Sequence, residues 1–200
     1  MPAQRQSGMS SATIAILAGL MLFCLSPPLL WAKAVQADPE LLNILSQAVS
    51  DAQSFEDRFD AEVWLMDMSS RLAKRVPDPR KRIEFLKLIH NEASRAELKP
   101  ELVLAVIEVE SNFDRWAISS AGARGLMQIM PFWLDELGRP DDNLFEVSTN
   151  LRYGCTILRH YLDKEKGHLS RALARYNGSL GSFRYPNKIF KALRERWGVR

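Results

Sequence analysis

The sequence predicts an all-α fold, or an α-dominated α+β one, and three observations carry that reading. Apolar residues recur at helical spacing in run after run, prolines fall where helices begin, and no alternating apolar–polar stretch of any length occurs. The clearest run opens at Pro100, where a missing N–H costs little in a first helical turn. Leu102, Val106 and Val109 form one stripe, with Val103 and Ile107 beside it. At the far end of this apolar rod sits Glu110, followed at once by the polar Ser111-Asn112. A carboxyl there is partly desolvated, which disfavours its charged form and raises its pKa toward that of a general acid working near neutral pH. An isolated glutamate in this position also has a plainer reading, a helix-end carboxylate facing water.

The remaining elements follow in chain order. Residues 1–37 carry no acidic side chain, place Arg5 near the start and run almost wholly apolar from Ala12 to Leu25 before Pro27-Pro28. Ala32-Lys33-Ala34 and Val35-Gln36-Ala37 each offer a small-x-small cleavage pattern, so the layout is that of a secretory signal peptide cut after Ala34 or Ala37. The apolar core is short for a membrane span, which needs about 18 residues. An uncleaved anchor is the competing reading. Phe23 before Cys24 is too bulky for lipoprotein processing.

Residues 38–82 read as a helical N-terminal extension. Pro39 opens Leu41, Leu42, Leu45 and Val49 on one face, and Ser54-x-x-Asp57 is a helix start for Phe55, Phe59, Val63, Trp64 and Met66 as core or interface residues. Val76-Pro77-Asp78-Pro79 is the clearest internal boundary: Asp78 caps and Pro79 begins a helix with Ile83, Leu86, Ile89 and Ala93 inward. Residues 83–200 form the main domain. After a loop at Gly138 to Asp142, Phe145 to Lys164 is helical, with Leu151, Gly154, Leu158 and Leu162 on one stripe. Gly167-His168 breaks that run, Leu169 to Tyr176 makes a short helix, and Arg184-Tyr185-Pro186-Asn187 leads into a last amphipathic helix ending near Trp197.

Several chemistries find no support. A net charge of +3 without a block of like charges gives no footprint for nucleic acid. None of His90, His160 and His168 lies in a metal-binding spacing, and no phosphate-cradling or G-x-S-x-G motif occurs, so neither metal nor other cofactor is expected. With the first 37 residues removed, Cys155 is the one cysteine; beside Gly154 and far from any telling histidine, it reads as a buried structural thiol.

Gly122-Ala123-Arg124-Gly125-Leu126-Met127-Gln128-Ile129-Met130-Pro131 sets two glycines ahead of an apolar, amide-bearing segment stopped by proline, a spacing that suits backbone brought close to a ligand or another segment. Gln128 offers donor and acceptor, the equipment to grip a sugar. Together with Glu110-Ser111 and the later Arg175-Tyr176-Asn177-Gly178, this run resembles the soluble-type lytic transglycosylases, relatives of goose-type lysozyme. The resemblance runs from about Ile83 to the C-terminus.

It implies a lysozyme-like domain that cleaves peptidoglycan glycan between N-acetylmuramic acid and N-acetylglucosamine, with Glu110 as acid and then base. By the same resemblance Ser119 contacts sugar, Met127 and Gln128 lie on the cleft wall near the acid, and the Tyr176 hydroxyl faces the glutamate, with Asn177 beside it. Asn150 matches an asparagine near a helix start, and Gly154 a glycine that lets helices approach. The family often reads A-Y-N-A-G-P-G where this chain has Arg175 and then Gly178-Ser179-Leu180-Gly181, so the adjoining loop and sugar subsite depart from the pattern. The signal segment implies an exported, periplasmic protein, or one anchored at the inner membrane if that segment is uncleaved. Glycan strands are the expected partner, and cell-envelope machinery a further one. Two rivals stay open: a hydrolytic lysozyme of the same fold, with Asp114, Asp135 or Asp141 positioning water, and a wall-binding or assembly protein that has lost turnover.

Overall fold

A computed structural model of the chain describes residues 58–198 with Gly138 excepted; the expected signal segment and residues 38–57 of the extension lie outside the described residues. The described chain forms α1 (Arg58–Leu72), α2 (Pro79–Arg95), α3 (Pro100–Ser111), α4 (Phe132–Glu136), α5 (Val147–Lys164), α6 (Leu169–Tyr176) and α7 (Arg184–Ala192), which runs into a π-helical turn, Leu193–Trp197. Its β content, among the described residues, is two isolated antiparallel bridges that join Arg124 to Ile118 and to Ile129. No described helix is long and apolar enough to cross a membrane.

The fold is arranged around α3. Every residue from Glu101 to Ile107 is buried, so this helix is enclosed on all sides, as its nearly unbroken apolar sequence requires. α2, α7 and the π-helical turn pack against it, while α5 packs on α2 and α6. Each Leu or Val so enclosed stabilises the domain by roughly 1.5–3 kcal/mol relative to exposure.

The start of α2 follows its local chemistry closely. The Asp78 side chain accepts from the backbone N–H groups of Arg80 and Lys81, and Pro79 occupies the first turn. Leu86, Ile89 and Ala93 point inward. On the same helix Glu92 is buried, yet its carboxylate accepts from Arg95 at 2.7 Å and from Arg152 of α5 at 2.6 Å, so two guanidinium groups satisfy the enclosed charge. α5 starts at Val147 rather than Phe145 because the Asn143 side chain accepts from the Phe145 N–H, holding a turn, and Glu146 then caps through the Thr149 N–H. Cys155 is fully buried in α5, and burial pushes its thiol well above the ordinary range.

α1 shares this core instead of standing apart from it. Leu65, Met68 and Leu72 are buried with the residues of α2 and α3, and Trp64 Nε1 donates to Glu101 of α3 at 2.7 Å. Met66, expected as a core or interface residue, lies outside the core at 77 % exposure; the buried stripe passes through its neighbour Leu65. At the other end of the chain Trp197 is buried and donates through Nε1 to Glu108, which also accepts from Arg75 and Arg196.

Candidate active site

α3 ends one residue after Glu110. Asn112 takes a left-handed conformation at φ 49° and Phe113 follows at φ 69°, so the backbone turns sharply away. The Ser111 hydroxyl donates to the Leu126 carbonyl at 2.8 Å, which fastens this helix end to the GARGLMQIMP run. That run folds back on itself. Arg124 and Ile129 exchange backbone hydrogen bonds at 2.9 Å each way, and the Gly125 N–H reaches the Ala117 carbonyl at 2.9 Å. Gly125 has φ +73°, and a Cβ there would lie 2.5 Å from the Leu144 carbonyl oxygen, so the second glycine serves both turn and close approach.

Asn150, at the start of α5, pins the loop in place. Its Oδ1 accepts from the Met127 N–H at 2.8 Å, while Nδ2 donates to the carbonyls of Arg124 and Leu144. One buried amide thereby satisfies three backbone groups that would otherwise be stranded.

Glu110 faces an open cleft of about 310 Å³, lined with it by Val109, Asn177, Ser179, Ser182, Arg184, Tyr185 and Lys188. The Tyr185 hydroxyl donates to Glu110 Oε1 at 2.6 Å. Burial pushes the Glu110 carboxyl up to about 7, against the opposing pull of the Tyr185 hydrogen bond and the Lys188 ammonium. A helix C-terminus is itself a poor place for negative charge, which works in the same direction as burial. Near neutral pH the carboxyl therefore populates both its acid and its anionic form. One oxygen is held by a phenol, and Oε2 has no protein hydrogen bond among the described residues. Such a group can give a proton to a bound ligand and take one back.

Among the described residues no other acidic side chain lines this cleft. Glu108 points to the Arg75, Arg196 and Trp197 cluster. Asp114 accepts from the Trp116 N–H in a local turn, and Asp135 and Asp141 are exposed elsewhere. A second, larger hollow of about 490 Å³ is lined by Asp67, Arg71, Arg75, Glu195 and Arg196 among others. Its charges are already paired, Arg71 with Asp67, and Arg196 with Glu108 and Glu195. It offers no strained carboxyl. The described residues contain no group of three or more His, Cys, Asp or Glu that could hold a metal ion.

The residues singled out from sequence divide into two sets. Glu110 and Asn177 line the cleft. Ser119, Met127, Gln128 and Tyr176 build the loop beside it. The Met127 side chain is buried against Gly154, where an added Cβ would lie 2.3 Å from its sulfur, so it faces α5 and not the cleft. Gln128 has φ 51° and spends its amide N–H groups on the carbonyls of Ala117 and Gly125, bracing the turn instead of gripping a sugar. Ser119 accepts from the Ala123 N–H at 3.1 Å. The Tyr176 hydroxyl donates to the Met127 carbonyl at 2.7 Å, and the phenol bonded to Glu110 is that of Tyr185. The sequence held one clue to Tyr185. It shares a helical stripe with Ile189 and Ala192, and a tyrosine buried on such a stripe needs a partner for its hydroxyl.

An all-helical domain wrapped around one buried helix, with a lone proton-holding glutamate at that helix's end, defines a lysozyme-like fold. Residues 87–196, more than half of the chain, match the family model of the Transglycosylase SLT domain, and the chain belongs to that family. It is 29% identical over 123 residues to a Transglycosylase of Enterobacteria phage PRD1, covering 58% of this chain and 45% of that protein. It is 33% identical over 141 residues to the Membrane-bound lytic murein transglycosylase F of Desulfosudis oleivorans, covering 68% of this chain and 29% of that protein. A shorter stretch of 48 residues is 44% identical to the Membrane-bound lytic murein transglycosylase C of Actinobacillus pleuropneumoniae, covering 24% of this chain and 13% of that protein. The chain thus spans less than half the length of each of these relatives, and the likeness is one of domain to domain.

Proposed function

We propose that this chain is a peptidoglycan lytic transglycosylase that cleaves between N-acetylmuramic acid and N-acetylglucosamine, with Glu110 as acid and then base. The observation that carries the reading is the Glu110 carboxyl itself: enclosed at the end of α3, with its pKa raised to about 7, tied to Tyr185 through one oxygen and, among the described residues, without a second acid in its cleft. The names of the relatives from Desulfosudis and Actinobacillus, lytic murein transglycosylases, point to the same substrate.

In this reading Oε2 of Glu110 donates its proton to the glycosidic oxygen as the bond to the muramic acid C1 breaks. The leaving N-acetylglucosamine departs with a hydroxyl. The carboxylate then accepts the proton of the muramic acid's own C6 hydroxyl, whose oxygen closes onto C1 and leaves a 1,6-anhydro ring. The glutamate ends protonated as it began, and no water is consumed. Most glycosidases need a second carboxylate to activate water or to act as nucleophile. An internal nucleophile removes that need and gains from proximity, worth about 7–11 kcal/mol in favourable cases. Ser119, Gln128 and Tyr176 support the cleft wall in this scheme, and Tyr185 orients the acid. Asn177, which lines the cleft, contacts the sugar in the same scheme. The same reading takes the protein as exported to the periplasm, where glycan strands are found.

The test is product mass from purified sacculi. Ring closure and hydrolysis differ by one water, so anhydro-muramyl ends with few new reducing ends support the proposal. Mainly hydrated muramic acid ends reassign the protein as a hydrolase.

A further inference from the structure

In the cleft that holds Glu110, α7, which also carries Tyr185, presents two cations. Arg184 and Lys188 are both exposed, both line the cleft and stand four residues apart, which puts them on one helical face. Like charges at that spacing repel, so the pair weakens its own helix unless an anion lies between them. Neither forms a close ion pair among the described residues, although the Lys188 ammonium also acts on the Glu110 carboxyl. Other arginines of the domain do: Arg75 with Glu108, Arg152 with Glu92, Arg175 with Glu165. Ser179 lines the same cleft, and its hydroxyl, shielded from solvent in this conformation, finds no hydrogen-bond partner among the described residues. A buried polar group left without a partner is costly, and a ligand atom would remove the cost.

We infer that Arg184, Lys188 and Ser179 form a carboxylate-binding subsite in the cleft, which engages a free carboxylate of the glycan strand, on the muramic acid lactyl ether or on its peptide. The inference rests on the proposed glycan substrate. One guanidinium, one ammonium and one hydroxyl suit a planar anion, which accepts from all three. N-acetylmuramic acid carries a carboxyl on its lactyl ether. On peptide-free strands that group is a free anion; on peptide-bearing strands it is an amide, and the anions are those of the peptide. Both sources offer the same chemistry, and the departure of the Gly178 to Gly181 loop from the family pattern lies at this same subsite.

The experiment compares peptide-free glycan and peptide-bearing glycan, each intact and with its carboxylates converted to neutral methylamides. For the wild-type protein we expect neutralisation of the recognised carboxylate to lower kcat/KM about tenfold, through KM. The substrate that suffers the loss identifies the source. In the Arg184→Gln/Lys188→Gln double variant that discrimination is expected to vanish, intact and neutralised strands being cleaved alike, while Arg184→Lys/Lys188→Arg retains it. Dissociation constants for the same four glycans on Glu110→Gln protein give the same comparison without turnover. Equal handling of intact and neutralised strands by the wild type, or undiminished discrimination in the double variant, overturns the subsite. A folded wild-type protein that cleaves none of the four overturns the transglycosylase reading itself.

Discussion

At Glu110 two influences disagree. Enclosure at the end of α3 favours the neutral acid, while the Tyr185 hydroxyl and the Lys188 ammonium favour the anion, and enclosure wins. Glu110→Gln keeps the size of the side chain and an oxygen for Tyr185, so the fold is expected to persist while cleavage falls by at least about a thousandfold. Near-normal activity in a folded variant would remove the assignment. The pH dependence follows from the same shift. Because the acid form must start the reaction, kcat/KM is expected to fall as pH rises through about 7. Stability carries the matching sign: the folded protein binds this proton more tightly than the unfolded chain, so the advantage is complete below about 4.5 and lost as pH rises through about 7. Paired melts of wild type and Glu110→Gln therefore converge at low pH and separate above neutrality, with the variant the more stable. Tyr185→Phe removes a donor that favours the anion, so the Glu110 pKa rises further. Activity is expected to drop about tenfold while its alkaline limb moves to higher pH. Movement of that limb to lower pH would contradict the role given to the phenol.

The elements differ in how far the sequence foretold them, and the difference is one of range. Pro79, Asp78 and Pro100 act within a turn of themselves, and the helices they open begin where those residues say. The short helix from Leu169 to Tyr176 was legible for the same reason. The start of α5 was displaced by an Asn143 turn that leaves no periodic signature. Side-chain direction within the GLMQ loop was out of reach, because the left-handed Gln128 rotates its neighbours away from any regular pattern. Tyr185 lies 75 residues from Glu110, so periodicity could mark it as buried but not name its partner. Gly154 illustrates a position whose meaning needed the fold. A Cβ there would lie 2.8 Å from Met127 Cβ and 2.3 Å from its sulfur, a clash that pushes the loop off α5. Gly154→Ala is expected to cost about 2 kcal/mol or more in chemical denaturation. It should also lower activity, since Met127 is held on the Asn150 and Tyr176 bonds that shape the cleft. An unchanged denaturation midpoint would show that the packing is looser than described.

At the scale of the whole molecule, the family match begins at residue 87 while the shared core begins earlier, in α1. Leu65, Met68 and Leu72 are buried with α2 and α3, and Arg71 donates to the carbonyls of Arg196 and Gly198 near the far end of the chain. Core side chains of this size are worth about 2–5 kcal/mol each, against a total stability of about 5–15 kcal/mol for a domain. A chain beginning at Pro79 is therefore expected to lose its cooperative thermal transition. A sharp melt at the full-length temperature would show that α1 is dispensable.

The enclosed Cys155 thiol has a practical corollary. In a chain whose Cys24 is replaced by serine, it becomes a clock set inside the protein. It is fully buried in the middle of α5, near Glu92 of α2 and Tyr176 of α6, so a reagent reaches it only when α5 parts from those neighbours. With a fast thiol reagent in excess, the labelling rate reports how often α5 lifts away from its neighbours. Occupation of the cleft by glycan should slow that rate if cleft and helix open as one unit, and leave it alone if they open separately.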